Sequence, residues 1–288
     1  MGDGRQGWRI DGTSPAAEEL RRALDRVAST RVPVLLYGET GTGKRHAARV
    51  LHGLAGDGEL RWASGRDEEG IRRAVAQGGR GTLVVTGLDE APARVQGLLL
   101  GWLEAADDEG PWRWVFTARS DLEDRVNAGR FRRDLYYLVA GFPLRVPPLR
   151  ERLEDLPALI EGLVRRRWPE AEVPEPHPAF LREAIDYDWP GNVRELEALV
   201  VASFPPSPDC PWPPAPATRA RADRPEILPF AEAKRRFERD YVARLLLATE
   251  GNVARAARLA GKARKDFYIL MERTGLRPDR FRPRRWAR

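Results

Sequence analysis

The heptapeptide GETGTGK, Gly38 to Lys44, constrains the fold of this 288-residue chain more than any other feature. It follows the apolar run from Pro33 to Tyr37 and precedes an amphipathic stretch, which is the strand, loop and helix context of a phosphate-binding loop. Its three glycines allow backbone N–H groups to converge on phosphate, and Lys44 can reach the β- and γ-phosphate oxygens. The motif therefore predicts nucleotide binding on an α/β sheet.

Strand-like and helical runs alternate from about residue 15 to 145, which predicts a parallel sheet wrapped by helices. The strand-like runs are PVLLYG, GTLVVTG, WRWVFTAR and LVAGFPLRV, and the helical runs are AAEELRRALDRVAS, GKRHAARVLHGL, GIRRAVAQG and RVQGLLLGWLEAA. Residues 146–204 are typical of helices only and predict a small helical subdomain. Residues 205–229 are rich in proline, which favours an extended linker.

Positive charge is concentrated at the C-terminal end of the chain. Residues 230–288 contain 17 Lys or Arg against 7 Asp or Glu, whereas the net charge of the whole chain is only +6. Such a basic segment favours a polyanionic partner, most simply nucleic acid. The alternative is a solvated, arginine-rich surface without a partner.

The same segment has the pattern of a helix-turn-helix unit. After a long helical run, a short helix begins at Asn252, a turn falls at Gly261, and a second helix runs through Glu272. The second helix of such a unit is expected in the major groove of DNA. The candidate DNA-facing residues are Arg264, Lys265 and Tyr268, and the candidate core residues are Phe267, Leu270 and Met271. A helical oligomerisation hairpin is the alternative.

The composition argues against a membrane protein and against a metal site. No stretch approaches the roughly 18 apolar residues of a membrane-spanning helix, and the N-terminus lacks the apolar core of a signal peptide, so we expect a cytoplasmic protein. The single cysteine, Cys210, has no His or Cys near it that could complete a metal site. The three histidines are scattered along the chain.

Six motifs occur in an order and spacing that match a known family. They are GETGTGK, ARVLH, GTL, GRFRRDLYY, PPLRERLEDLP and WPGNVRELE. Over about residues 10–204 the chain resembles the AAA+ central domain of bacterial enhancer-binding proteins, the activators of sigma-54 RNA polymerase. Its C-terminal helices resemble the Fis-type DNA-binding domain that ends many of these proteins.

The resemblance implies an architecture and a set of partners. The expected fold is a P-loop α/β subdomain (10–145), a helical lid subdomain (146–204), a proline-rich linker (205–229), an all-α Fis-type helix-turn-helix domain (230–277) and a basic tail (278–288). ATP is the implied cofactor. The implied partners are DNA, sigma-54 RNA polymerase and further AAA+ subunits in a ring.

The resemblance also implies roles for individual residues. The nucleotide-binding set comprises Gly38, Glu39, Thr40, Gly41, Thr42, Gly43, Lys44 and Arg45, together with Arg194 of the lid, which matches the arginine that senses the γ-phosphate. Arg132 in GRFRRDLYY matches the first arginine finger, which reaches the nucleotide of a neighbouring subunit. The second finger is replaced by Leu138.

The residues that support hydrolysis in the family are replaced here. The segment GTLVVTGLDEAPARVQ fits the family pattern without a gap, and this register puts Thr86 and Gly87 where the magnesium-binding Asp and the catalytic Glu belong. Arg119 replaces the family's sensor Asn, and Arg45 stands where the general P-loop pattern has a Ser or Thr for magnesium. The groups that position the attacking water and stabilise the charge during phosphoryl transfer are then largely missing. We therefore expect slow hydrolysis or none, and the role of magnesium stays open.

Glu90 remains a catalytic candidate, although it matches a different acid of the family. A slip of three residues moves a carboxylate by about 10 Å along an extended chain, which is more than a water-positioning hydrogen bond tolerates. The segment from His52 to Thr82 has roughly half the length expected for the family and lacks the Phe-Thr pair that touches sigma-54. Only about ten residues precede the AAA+ pattern, so no N-terminal receiver domain is expected.

Three functions are compatible with this sequence. The first is a DNA-binding transcriptional regulator that binds ATP and assembles with little or no hydrolysis. The second is an active ATPase that remodels sigma-54 RNA polymerase, with Asp89 and Glu90 in the catalytic role. The third is a nucleotide-independent partner that co-assembles with related AAA+ activators.

Overall fold

The computed structural model describes residues 8–56, 58–105, 110–205, 212–214 and 230–281. The chain forms two compact units. The first contains Ala16–Pro148 with the residues up to Ile10, and the second contains the residues from Leu149 onward with Asp11–Pro15. Most of the proposed linker 205–229, including Cys210, and residues 282–288 of the proposed basic tail lie outside the described residues.

The first unit is built on a parallel sheet. Its strands are β1 (Val34–Tyr37), β2 (Glu59–Ser64), β3 (Gly81–Thr86), β4 (Trp112–Ala118) and β5 (Phe142–Arg145), in the order β2-β3-β4-β1-β5. Every neighbouring pair is parallel, so the carboxyl ends of all five strands lie at one edge. At that edge Tyr37 is opposite Ala118, and Thr86 is opposite Thr117. The P-loop and the turn after β3 therefore leave the same edge of the sheet.

Six helices cover the sheet. They are α1 (Pro15–Ala28), α2 (Lys44–Ala55), α3 (Glu68–Ala76), α4 (Ala93–Glu104), α5 (Glu123–Asn127) and α6 (Arg133–Val139). Strand β3 alternates between two cores, because Leu83 and Val85 pack with α3, α4 and α6, whereas Val84 packs with α1 and α2. The predicted α/β fold with a parallel sheet is confirmed.

Two segments differ from the sequence prediction. Strand β2 was not predicted, because its ELRWAS sequence is charged and half-exposed at the edge of the sheet and lacks an apolar run. The run LVAGFPLRV was predicted as one strand, but Leu138 and Val139 end α6 and only residues 142–145 form β5. A short apolar run does not distinguish a buried helix end from a strand.

The second unit is helical among its described residues. Its helices are α7 (Leu156–Arg167), α8 (Pro178–Asp186), α9 (Asn192–Ala202), α10 (Phe230–Ala248), α11 (Val253–Leu259) and α12 (Arg264–Thr274). Helices α7 to α9 share a core that contains Phe180, Trp189 and Trp212. Trp212 lies in the proposed linker, yet its side chain is buried and its carbonyl accepts a hydrogen bond from the His177 N–H at 2.7 Å. At that point the chain packs as part of the helical subdomain and does not act as a spacer.

Helices α10 to α12 form a core of their own. Phe267 and Met271 of α12 pack there against Val242 and Leu246 of α10 and Ala256 of α11. Leu270 is buried as well, so the predicted core face of the second short helix is confirmed. In the described part of the chain, no helix has the length and apolar character needed to cross a membrane.

Candidate nucleotide-binding site

The P-loop has the backbone that its glycines predict. Gly38, Gly41 and Gly43 have φ values of 149°, 81° and 105°, which side chains rarely tolerate. A Cβ at Gly38 would also collide with the carbonyl of Val146. Helix α2 begins at Lys44 with no side-chain cap at Gly43 and no acidic residue in its first turn, so its N-terminal amides face the loop. This arrangement suits a phosphate group.

Lys44 is folded back onto the loop. Its Nζ lies 2.5 Å from the carbonyl oxygen of Gly38 and 2.7 Å from that of Glu39. Thr42 is buried, and its hydroxyl donates to the same Glu39 carbonyl at 2.9 Å, which holds the loop closed on itself. Thr40 is exposed at the tip. A phosphate that draws Lys44 away from these carbonyls replaces two neutral acceptors with a charged one.

Arg45 follows Lys44 in the first turn of α2. Its guanidinium lies 4.6 Å from the centroid of the Trp62 ring on β2, and that of Arg49, one turn later, lies 5.2 Å from the same ring. Cation–π contacts of this kind hold an arginine in place while it stays charged. A guanidinium packed on Trp62 therefore stands at the position where the general P-loop pattern has a magnesium-binding hydroxyl.

The end of β3 carries no carboxylate. The Thr86 hydroxyl donates to the carbonyl of Ala63 at 3.1 Å, and the N–H of Gly87 donates to the hydroxyl of Thr117 at 3.3 Å. Gly87 has a φ of 69° and starts a 3-10 turn, Leu88–Glu90, that bends the chain away from the strand direction. Neither residue at the expected positions can act as a general base or hold a cation by charge.

The two acids that follow are bound by arginines. The backbone N–H and the Nε of Arg119 donate to the buried Asp89 carboxylate at 3.3 and 2.9 Å, and a terminal nitrogen of Arg119 donates to Glu90. Glu90 also pairs with Arg66. The hydrogen bond with Asp89, followed by the charges of both acids, raises the pKa of Arg119. The acids and arginines thus form a closed ion-pair cluster directly beyond β3 and β4.

Magnesium does not fit this set of donors. It prefers octahedral oxygen ligands, usually one or two carboxylates beside the phosphates. The candidate positions hold Arg45, Thr86 and Gly87, and the two carboxylates that follow β3, Asp89 and Glu90, are bound by guanidinium groups. Within the described ranges, no group of three or more His, Cys, Asp or Glu side chains is arranged to hold a metal ion.

Arg132, the candidate finger, lies at the start of α6. Its backbone N–H donates at 2.9 Å to the side chain of the buried Gln96, whose amide in turn donates to the carbonyls of Ala91 and Arg130. The half-exposed guanidinium donates to both carboxylate oxygens of Asp134, which lowers the pKa of Asp134 and raises that of Arg132. The segment is positioned firmly, and its charged end remains at the surface.

Two further candidate positions differ in exposure. Leu138, in place of the second finger, packs half-buried against the core of the first unit. Arg194 is exposed in the first turn of α9 in the second unit. Two side chains shape the start of this helix. Asn192 has a φ of 52°, and its side-chain oxygen accepts a hydrogen bond from the N–H of Leu149 at 2.8 Å. The carboxylate of Glu195 accepts a hydrogen bond from the N–H of Gly191 at 2.9 Å.

The C-terminal helices present the predicted polar residues at the surface. Arg264, Lys265 and Tyr268 are exposed on α12, and the Arg264 guanidinium lies 5.8 Å from the centroid of the Tyr268 ring. Asn252 caps α11 by accepting the N–H of Arg255 at 3.1 Å, as its sequence position predicts. Helix α11 therefore begins where the sequence indicates.

Sequence reasoning missed two residues that shape the site. Arg66 was not singled out, because it lies in the shortened segment before β3 and belongs to no motif. Gln96 ends the segment GTLVVTGLDEAPARVQ, in which no pattern indicates that its side chain holds the start of α6 in place. The pairing of Arg119 with the late acids could have been anticipated, since an arginine that follows one parallel strand lies beside the turn that follows its neighbour.

Comparison with known proteins agrees with this geometry. Residues 12–149 match the Sigma-54 interaction domain, and residues 150–204 match the AAA+ ATPase lid domain. The transcriptional regulatory protein GlrR of Escherichia coli is 30% identical over 96% of this chain and 70% of that protein. The DNA-binding transcriptional regulator NtrC of Rhizobium meliloti is 31% identical over 69% of this chain and 48% of its own length.

A solved structure supports the same assignment. NtrX from Brucella abortus, crystallised in complex with ADP, is 25% identical and covers 93% of this chain and 69% of its own, with a TM-score of 0.62. The α/β P-loop fold, the helical lid and the relatives agree with one another. This chain belongs to the family of sigma-54-dependent transcriptional regulators that carry a Sigma-54 interaction domain.

Proposed function

We propose that this chain is a DNA-binding transcriptional regulator that binds ATP through its P-loop and hydrolyses it slowly or not at all. The observation that carries the proposal is the ion-pair cluster beyond β3, in which Arg119 and Arg66 bind Asp89 and Glu90, the two acids that follow this strand. In the sequence register, Thr86 and Gly87 fall at the catalytic positions. A carboxylate whose oxygens already accept hydrogen bonds from arginine is less available to orient an attacking water.

Several features support nucleotide binding. The loop from Gly38 to Lys44 has the glycine geometry, the uncapped helix and the lysine that phosphate requires. The solved relative NtrX was crystallised with ADP, and a second structure of that protein contains ATP. We expect Lys44 and the loop amides to hold the phosphates.

DNA binding is supported by charge and by helix geometry. The exposed start of α12 carries Arg264 and Lys265, and Phe267 and Met271 fix the opposite side of this helix in the core. The R. meliloti relative is named as a DNA-binding regulator. In this proposal α12 is the helix that enters the major groove, and its two cations contact phosphates or base edges.

The DNA-binding assignment can be tested with a charge-reversal pair on the whole chain. Arg264→Glu with Lys265→Glu should reduce retention of mixed genomic DNA fragments by at least about tenfold, since each lost phosphate contact weakens binding and lowers its salt dependence. The matched control reverses two exposed arginines elsewhere, Arg94→Glu with Arg165→Glu, and should retain DNA. Equal retention by both variants would refute the role of α12.

A second candidate function is co-assembly with related activators. It is favoured by Arg132, which keeps a charged, surface-exposed finger on a well-anchored segment although the chain's own catalytic positions are changed. Such a subunit supplies a finger to a neighbour and contributes no hydrolysis of its own. When mixed with an intact relative, the chain should change the relative's ATP turnover, and Arg132→Ala should remove that effect while Arg133→Ala keeps it.

The third function, an ATPase that uses Asp89 and Glu90, requires the ion-pair cluster to open. Arg119 contacts both acids, and Arg66 contacts Glu90 from another segment, so both arginines would have to release their partners. The described contacts therefore favour binding over hydrolysis.

A further inference from the structure

Within the second unit, the candidate DNA-binding helices lie against the lid helices. Helix α10 packs on α8, although the two groups of helices have separate apolar cores, one for α7 to α9 and one for α10 to α12. Interfaces between separately packed parts of one chain are more polar than a core and allow relative motion. The contacts that hold α10 on the lid therefore differ in kind from those that fold each group.

Arg239 of α10 contacts the lid and its own group of helices at the same time. Its guanidinium donates to the Glu154 carboxylate at 2.6 Å and to the Glu151 carbonyl at 3.2 Å, both on the lid side. It also donates to the carbonyl of Thr274, at the end of α12, at 3.2 Å. One side chain thus joins the lid to both the first and the last helix of the C-terminal group.

Glu154 depends on this cation. Its side chain is only 3% exposed, and among the described residues Arg239 is its only ion-pair partner. Burial raises the pKa of Glu154, and the positive charge of Arg239 opposes that rise. A carboxylate with a single cation near it favours one docked position of α10 over others.

A second ion pair lies further along α10. Arg244 pairs with Asp186 at the end of α8, and both side chains are largely exposed. An exposed pair of this kind is weak enough to open and close. In both pairs an arginine of the basic C-terminal group is neutralised by an acid of the lid, which weakens the attraction of that group for a polyanion.

We propose that Arg239 and Arg244 form an ionic latch that holds the DNA-binding helices on the lid and restrains their binding to DNA. In the latched state, α12 has one orientation relative to the lid helices. When the latch opens, the 15 residues between Pro214 and Phe230 keep the two groups attached and allow a separation of up to about 50 Å. DNA that requires another orientation must open the latch, so it binds less tightly than to released helices. The restraint rests on the proposed DNA binding, whereas the latch itself does not.

The latch is tested by a distance measured across it in the whole chain. Spin labels on two exposed positions, Glu183→Cys on α8 and Glu272→Cys on α12, with Cys210→Ser, report this distance by pulsed electron paramagnetic resonance. We expect one narrow distance distribution. Glu154→Gln with Asp186→Arg should broaden the distribution and extend it to longer distances, because it removes both lid acids.

Two further variants are matched controls, and circular dichroism checks the folding of each. Glu161→Arg makes the same charge change as Asp186→Arg in a lid ion pair that does not include α10, and it should keep the narrow distribution. Adding Arg244→Asp to Asp186→Arg restores a pair with exchanged charges and should narrow the distribution of Asp186→Arg again. A broad distribution with both native pairs present, or a narrow one without the lid acids, would overturn the latch.

DNA affinity tests the restraint separately. At one salt concentration, Asp186→Arg should bind mixed genomic DNA fragments up to about fivefold more tightly than Glu161→Arg, which has the same net charge. Equal affinities of these two variants, together with a broadened distance distribution in Asp186→Arg, would overturn the restraint and leave the latch. Absence of DNA binding in every variant would refute the proposed DNA binding and with it the restraint, while the distance measurement still decides the latch.

Discussion

The loop after β1 and the turn after β3 leave the same edge of one parallel sheet, but they carry different chemical groups. The loop has its glycines, a helix start without a side-chain cap, and Lys44, whereas the turn has Thr86 and Gly87 where the sequence register expects two acids. Phosphate binding depends on backbone amides and a lysine, and hydrolysis depends on carboxylates that hold a metal ion and orient water. Because different segments provide these groups, one capacity can be lost while the other remains.

The largest effect is expected for ATP affinity when the lysine of the loop is removed. Lys44→Ala should weaken ATP binding by about 100-fold or more, since the loop loses its charged contact with the phosphates. Isothermal titration calorimetry with ATP in EDTA measures this loss of affinity. Arg49→Ala, on the same helix, is the control and should bind nearly normally, and ATP binding by Lys44→Ala at the wild-type level would show that the nucleotide lies elsewhere.

The next effect is on the free energy of unfolding, when an arginine that binds the acids after β3 is removed. Arg119→Ala leaves the buried Asp89 without its cation, which should lower the free energy of unfolding and shift the midpoint of urea denaturation to a lower concentration. Urea denaturation checks the shift. Arg66→Ala, which removes a more exposed partner of Glu90, should cost less than about 1 kcal/mol. Equal losses in the two variants would contradict the structural role of the Asp89 contact.

The sequence predicts the loop more completely than the turn, for a physical reason. The loop is local: seven consecutive residues determine its backbone, and the φ values at Gly38, Gly41 and Gly43 follow from them. The register that places Thr86 and Gly87 at the end of β3 also follows from a continuous segment. The cluster around Asp89 and Glu90, by contrast, joins residues from three separate segments, and no local pattern indicates that Arg66 takes part.

The same distinction explains the other differences. Strand β2 was missed because its residues are polar, and it exists through its pairing with β3. Trp212 was assigned to a linker because prolines surround it, but its ring is buried in a core that α7 to α9 assemble from distant parts of the chain. Helix starts such as that of α11 were predicted well, because the cap and the capped amide are three residues apart.

The smallest effect, on both stability and phosphate release, is expected when the charge of Glu90 is removed. Glu90→Gln removes the charge that pairs with Arg119 and Arg66, and because both pairs are partly exposed it should change stability by about 1 kcal/mol or less. Phosphate release should stay at the level of the unmodified chain. A large fall in phosphate release would identify Glu90 as a catalytic base and would favour the active ATPase.

The most direct test of the central claim measures occupancy and turnover together. The chain is saturated with ATP, bound nucleotide is quantified by calorimetry, and phosphate release is followed in the same buffer with and without magnesium, with Lys44→Ala as the background. We predict bound ATP and no phosphate release above this background. Release of about one phosphate per second that is lost in both Lys44→Ala and Glu90→Gln would contradict the account.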